Sequence, residues 1–127
     1  MLPAVLSACA TQNRPECAAG TPALVFHLYF GKSIPGRAEL AEREWQSFLE
    51  ASVTPALPGG YTVLEAEGAW MSPHSHRTIR EHTKVLVVAL PDSSESWTAV
   101  NQVRASYQAK FRQQLVGLIA SKGCADF

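Results

Sequence analysis

The chain has 127 residues, with 11 lysines and arginines against 11 aspartates and glutamates, and four histidines, for zero formal charge. That length suits one domain around one modest core, and evenly mixed charge without a basic run argues against a nucleic-acid partner. No stretch approaches the ~18 consecutive apolar residues needed to span a bilayer.

The first nine residues stand apart. Met1-Leu2-Pro3-Ala4-Val5-Leu6-Ser7-Ala8 reads as the end of an apolar export segment with no basic residue before it, so a longer precursor is expected. Leu6-Ser7-Ala8-Cys9 has the form of a bacterial lipoprotein cleavage box, which would make Cys9 the lipidated residue. An alanine-rich terminus with a chance cysteine is the plain alternative. Residues 10–23 carry Asn, Pro, Thr and Gly without periodicity and read as a tether. Residues 24–127 are expected to form a single domain, lipid-anchored in the periplasm or cell envelope, or otherwise secreted.

Residues 24–30 alternate, with Leu24, Phe26, Leu28 and Phe30 on one face and Val25, His27 and Tyr29 on the other, the pattern of a strand packed through its Leu/Phe face. Residues 31–37, with two glycines and a proline, are expected to be a loop. A helix predicted over 39–51 gathers Leu40, Trp45, Phe48 and Leu49 into an apolar stripe, and its acidic early turns suit the positive end of the dipole. Pro55 biases Thr54 away from helical geometry and is expected to close it. Pro58-Gly59-Gly60 marks a turn before a strand over 61–70, where Gly68 suggests a bulge or a close approach.

A polar connection follows at 71–77. Residues 81–90 then make the strongest strand, since Val85 to Leu90 are apolar on both faces, as a central strand requires. Asp92, with Glu95 three residues on, or else Ser93, caps a second helix running to about residue 113. Trp97, Val100, Val103, Tyr107 and Phe111 recur along it at helical spacing and, with Trp45, read as core. Residues 115–120 make a short last strand.

Strand, helix, strand, strand, helix, strand folds most simply as an α+β, ferredoxin-like βαββαβ unit: a four-stranded antiparallel sheet with two helices on one face. The first and last strands are then antiparallel neighbours, which brings Cys17 close to Cys124. A bridge there would contribute ~3 to 5 kcal/mol on the chain-entropy model and would place the protein in an oxidising compartment. Two free thiols in a cytosolic protein are the alternative.

An ordered set of short segments resembles the DUF3574 family, bacterial secreted and lipid-anchored proteins known as a domain of unknown function. The set comprises Leu28-Tyr29-Phe30-Gly31 with Pro35-Gly36; Trp45 with Phe48-Leu49; Val53-Thr54-Pro55; and Pro58-Gly59-Gly60-Tyr61-Thr62-Val63-Leu64. It continues with Gly68-Ala69-Trp70, Arg80-Glu81-His82-Thr83-Lys84-Val85-Leu86, Tyr107, Phe111, and Cys124 near Phe127. The resemblance covers residues 24–127 and implies no activity. The chain departs from it at Ala41, where a Ser or Thr cap usually precedes the first helix, and in Ser72-Pro73-His74-Ser75-His76.

With both helices on one face, the other face of the sheet must be exposed, dimerised or used as a ligand cleft. His27 and Tyr29 would lie there, and Glu81 is the carboxylate to add to them. Glu81 and Lys84 differ in strand parity and point to opposite faces. Glu81 would meet Glu65, Glu67 or Arg80 across the neighbouring strand, either as two carboxylates sharing a proton or, the plainer and favoured alternative, as a structural ion pair. His74, His76 and His82 with Glu81 match no strong zinc spacing, so no metal is assigned. Lys32 and Arg37 flank Pro35-Gly36 but lack the pattern of a phosphate loop, and no Ser or Cys occupies a nucleophile turn.

No catalytic residue and no cofactor is assigned from these residues. The leading expectation is a non-enzymatic, lipid-anchored envelope domain with a binding or accessory role, touching the membrane through its anchor alone. The alternative is a small enzyme or small-molecule binder, its ligand unknown, that uses His27, Tyr29 and Glu81 on the open sheet face as a homodimer.

Overall fold

The computed structural model describes residues 16–127, so Cys9, the expected lipidation box and residues 10–15 of the tether lie outside the described residues. The elements follow the expected order: β1 (Thr21–Gly31), then α1 (Glu42–Phe48), continued by a π-helical turn (Leu49–Val53) and α2 (Thr54–Ala56). β2 (Thr62–Met71), β3 (Thr78–Leu90), α3 (Ser94–Phe111) and β4 (Gly117–Ala125) complete the chain. The strands lie in the order β2-β3-β1-β4 with every pair antiparallel, the ferredoxin-like α+β arrangement.

β1 alternates as its side chains demand. Phe26, Leu28 and Phe30 are buried against the helices, while Val25, His27 and Tyr29 are half-buried on the opposite face. β3 runs between β1 and β2, and Val85, Leu86 and Val88 bury both of its faces. β1 begins three residues before its apolar run because Thr21 and Pro22 pair with Ala125 and Cys124 of β4, which is longer and later than expected. Cys17 and Cys124 are bridged, their Cα atoms 5.7 Å apart across 107 residues of sequence.

The helices differ from expectation at their ends, each time for a local reason. α1 starts at Glu42 rather than Glu39. Ala41 offers no side-chain acceptor, and Glu44 folds back instead to take the Ala41 N–H (2.9 Å) while gripping Arg37 through both oxygens (2.8 and 2.7 Å). Thr54-Pro55 does not close the helix. The Thr54 N–H reaches the Leu49 carbonyl five residues back, and after this wider turn Pro55 enters the first turn of α2, where its missing N–H is not needed. α3 is capped by Ser93, whose hydroxyl accepts the Ser96 N–H (3.4 Å), and it ends as Arg112 turns left-handed (φ 52°). β2 and β3 pair in unbroken register from Thr62 opposite Val87 to Met71 opposite Thr78, so Gly68 is not a bulge.

Phe30 is the hub of the core. Its ring centre lies 5.2 Å from Trp45, 4.9 Å from Tyr107 and 5.9 Å from Phe48, all edge-on; such pairs add about 0.5–1.5 kcal/mol each beyond burial. Trp97 departs from its expected core role. It stands in the first turn of α3, packs its edge on Phe26 at 4.9 Å and remains 38% exposed.

Lys84 sits among these apolar groups, on the helix-facing side of β3 with Leu86 and Val88, and is only 2% exposed. Its Nζ donates to Glu42 of α1 (2.6 Å) and to Glu65 of β2, 5.8 Å from the centre of the Trp45 ring. Burial alone would lower its pKa. The hydrogen bonds to Glu42 and Glu65 outweigh that, the net shift is upward, and the ammonium stays charged as a link between helix and sheet.

Candidate functional site

The sheet face away from the helices dips into a cleft of about 280 Å³ where β1 reaches Gly31. β1 contributes Tyr29 and Gly31, β3 contributes Glu81 and Thr83, and β2 contributes Ala66, Gly68 and Trp70, with Glu67 at the border. Gln113 and Leu115, from the loop after α3, close one side. The register makes the hollow: Gly31 stands opposite Thr83, which opposes Ala66, and Glu81 opposes Gly68, so small residues alternate with functional ones.

Glycines seat the two chemical groups of the cleft. A Cβ on Gly31 would come within 2.3 Å of Glu81 Oε1, and one on Gly117 within 3.2 Å of the Tyr29 Cβ. Gly31, expected to open a loop, is instead the last residue of β1, and the Glu81 carboxylate occupies the space its missing side chain leaves. Glu81 Oε1 accepts the Ser33 backbone N–H (3.1 Å), while the Ser33 carbonyl accepts from Gln113 Nε2 (2.6 Å). One residue after β1 therefore positions both the carboxylate and the cleft wall. Arg112 Nη2 fastens the same wall to the Pro35 carbonyl (2.7 Å).

Behind the cleft, on the helix side, the Tyr107 hydroxyl donates to the Gly31 carbonyl (2.6 Å). Burial first, then the negative charges of Glu81 and Glu44, push this phenol's pKa up, so it remains a donor.

Of the three residues expected in a cleft, Tyr29 and Glu81 come together and His27 does not. His27 lies two positions back along β1, opposite Val87 on one side and Ile119 on the other. Neither arrangement expected of Glu81 across the neighbouring strand forms, the favoured ion pair or the alternative carboxylate pair. Glu65 faces the helices and binds Lys84, and Glu67 pairs with Arg80 (3.0 Å).

The other charged candidates have partners away from the cleft. His82 Nδ1 bonds Glu39 (2.9 Å), with Lys32 at that carboxylate's other oxygen (3.3 Å); chiefly the His82 bond holds the Glu39 carboxyl below its ordinary value. His74 and His76 stay in the turn between β2 and β3, and the described residues hold no group of three metal-ligating side chains. Lys32 and Arg37 are engaged with Glu39 and Glu44, so neither is offered to an anion. No helix among the described residues is long and apolar enough to cross a membrane. Trp70 and Thr83 follow from strand parity once the register is known, whereas Gln113 and Leu115 come from a loop and carry no sequence signal.

Fold and cleft together define a small α+β domain that leaves one face of its sheet uncovered by helices. Residues 26–127 match the DUF3574 family, described as a protein of unknown function, and the chain belongs to that family. No curated protein matches it significantly in sequence. Among solved structures it is similar to a phage SAM lyase in complex with S-methyl-5′-thioadenosine, with a TM-score of 0.59 and 11% identity over 87% of this chain and 95% of that one. A phage SAM lyase in its apo state gives a TM-score of 0.55 and 12% identity over 88% and 96% of the two chains. At such identity the likeness concerns the fold. It corrects the leaning toward a non-enzymatic domain, which rested on the lack of a catalytic signature in the sequence: the same fold, nearly end to end, is that of an enzyme.

Proposed function

We propose that this domain is a small enzyme or small-molecule binder that takes a compact organic ligand into the open-face cleft. The observation that carries this reading is the meeting of Tyr29 and Glu81 in one 280 Å³ hollow, each seated by a glycine. A positioned carboxylate can accept a proton from a reacting group, and a phenol beside it can orient or donate. Glu81 is the candidate base, Tyr29 the orienting donor and Trp70 an apolar wall. The phage SAM lyase with S-methyl-5′-thioadenosine bound shares the fold, so S-methyl-5′-thioadenosine and SAM are the first compounds to try.

The test is a titration of the oxidised protein with each compound, followed by backbone amide shifts, with mass spectrometry of the SAM sample for turnover. Shifts at Tyr29, Gly31, Glu81 and Thr83 support the reading, and product formation abolished by Glu81→Gln supports the enzyme. Saturating compound that leaves every cleft amide in place would overturn an adenosyl ligand, and the same result across a general metabolite screen would overturn the cleft.

An envelope location belongs to the same proposal. Its support is the Cys17–Cys124 bridge, a kind of link that persists outside the reducing cytosol. Intact mass of the exported protein with and without reductant tests bridge and Cys9 lipidation together. Exposed Leu64 and Ile119 on the open face (51% and 56%) support pairing of two copies there, which sedimentation velocity would read directly.

A further inference from the structure

We infer that the cleft selects an organic cation, an onium group such as a quaternary ammonium or a sulfonium; this rests on the cleft being the ligand site. The inference starts from charge. Glu39, Glu42, Glu44, Glu65, Glu67 and Asp92 each have a lysine, arginine or histidine partner within ion-pair distance. Glu81, like Glu16, Glu50, Glu95 and Asp126, has no such partner among the described residues, but it alone of these lines the cleft, where its partner is the neutral Ser33 N–H. It is half-buried, and the residues lining the cleft include no lysine, arginine or histidine. The basic residues adjacent in sequence to Ser33, Glu81 and Gln113 are already committed: Lys32 to Glu39, Arg80 to Glu67, and Arg112 to the Pro35 carbonyl.

A carboxylate in a partly desolvated hollow without a counter-ion repels anions and attracts cations more strongly than it would in bulk water. The rest of the lining sharpens the choice. Tyr29 and Trp70 add aromatic rings, whose faces attract cations; Ala66, Gly68 and Leu115 are apolar, and the neutral polar groups Thr83 and Gln113 are already donating to the Glu81 and Ser33 carbonyls. One carboxylate without a counter-ion, with Glu67 at the border already neutralised by Arg80, two rings and small apolar residues suit a diffuse positive charge carried on carbon. Gly31 serves this selection too, since any side chain there would displace the carboxylate.

The test uses matched probes. Choline and 3,3-dimethylbutan-1-ol have the same shape but differ by one positive charge; phenyltrimethylammonium and benzoate extend the set to a larger cation and an anion. Each is titrated into the oxidised protein while the Gly31, Ser33 and Gly68 amides and the Trp70 indole are followed by NMR. Both cations are expected to move these signals with a Kd about tenfold or more below that of the neutral alcohol, and benzoate to move none. Glu81→Gln, which retains an acceptor for the Ser33 N–H, should weaken cation binding about tenfold and leave the alcohol unchanged. Equal binding of alcohol and cation, or equal loss of both in E81Q, would overturn the charge selection while leaving the cleft as the ligand site. No response at the cleft to any probe would overturn the selection, and the separate adenosyl and metabolite titrations would then decide the cleft itself.

Discussion

Removing the bridge between Cys17 and Cys124 isolates a single physical effect. In the native state the ends are already held, because Thr21 pairs with Ala125 and Pro22 with Cys124 whether or not the sulfurs are joined. The folded protein therefore loses little when the bridge is cut, and the change falls on the unfolded chain, which is freed from a loop of 107 residues. The closure term for that length amounts to about 4.8 kcal/mol at 25 °C, which for a domain of this size lowers Tm by roughly 15–20 °C. The assay is urea unfolding of the oxidised protein against the Cys17→Ser, Cys124→Ser double variant, with native amide spectra of both. The expected signature is a lower midpoint, a larger m value because the freed chain exposes more surface, and unchanged amide shifts beyond the first residues of β1 and the last of β4. A loss below about 1 kcal/mol, or shifts spreading through the sheet, would refute the assignment of the effect to the unfolded state.

Lys84 gives predictions of very different size for its two sides. Lys84→Met keeps the volume and removes the desolvation, so stability should stay within about 1 kcal/mol of the parent, whereas Glu42→Gln with Glu65→Gln strands a buried ammonium and should cost about 3 kcal/mol in urea melts. Glu44, held at a pKa of about 2 by Arg37 and the Ala41 N–H against an ordinary 4.5, adds stability that is complete above pH 4.5 and lost as pH falls toward 2. Glu44→Gln should flatten that part of the stability-versus-pH curve measured by thermal melts. Gly31→Ala forces Glu81 off its seat, since the new Cβ would lie 2.3 Å from Oε1. The Ser33 amide resonance should move and the domain should lose about 1 kcal/mol, one hydrogen bond's worth.

Much of the fold was legible because its strongest signals are periodic. The two-residue alternation of β1 identifies a strand with one face on the core, the two-sided apolar run of β3 a central strand, and six elements in that order leave few topologies. The bridge was legible for the same reason, since it follows from which strands are neighbours. What escaped the sequence depends on contacts between segments far apart in the chain. Strand parity sets Lys84 on the face opposite Glu81 but nothing in the sequence pairs it with Glu42 and Glu65, and Trp97 reads as core until the helix start leaves one side of its ring in solvent. Pro55 reads as a stop because the π turn that admits it has no composition of its own. Tyr29 and Glu81 could be named individually, but the cleft could not, because its walls depend on the Ser33 backbone and on Gln113 80 residues further on.

The sulfur link also alters how the molecule would respond to being pulled. Tension applied between the segment before Cys17 and the residues after Cys124 passes through two side chains at one rim and bypasses the sheet. The intervening 107 residues, which fully drawn out would add about 360 Å of length, are shielded from the load. Stretched in this way, the domain behaves as a pendant beside a short covalent strap, and its cleft keeps its shape under traction that would unravel an unbridged chain.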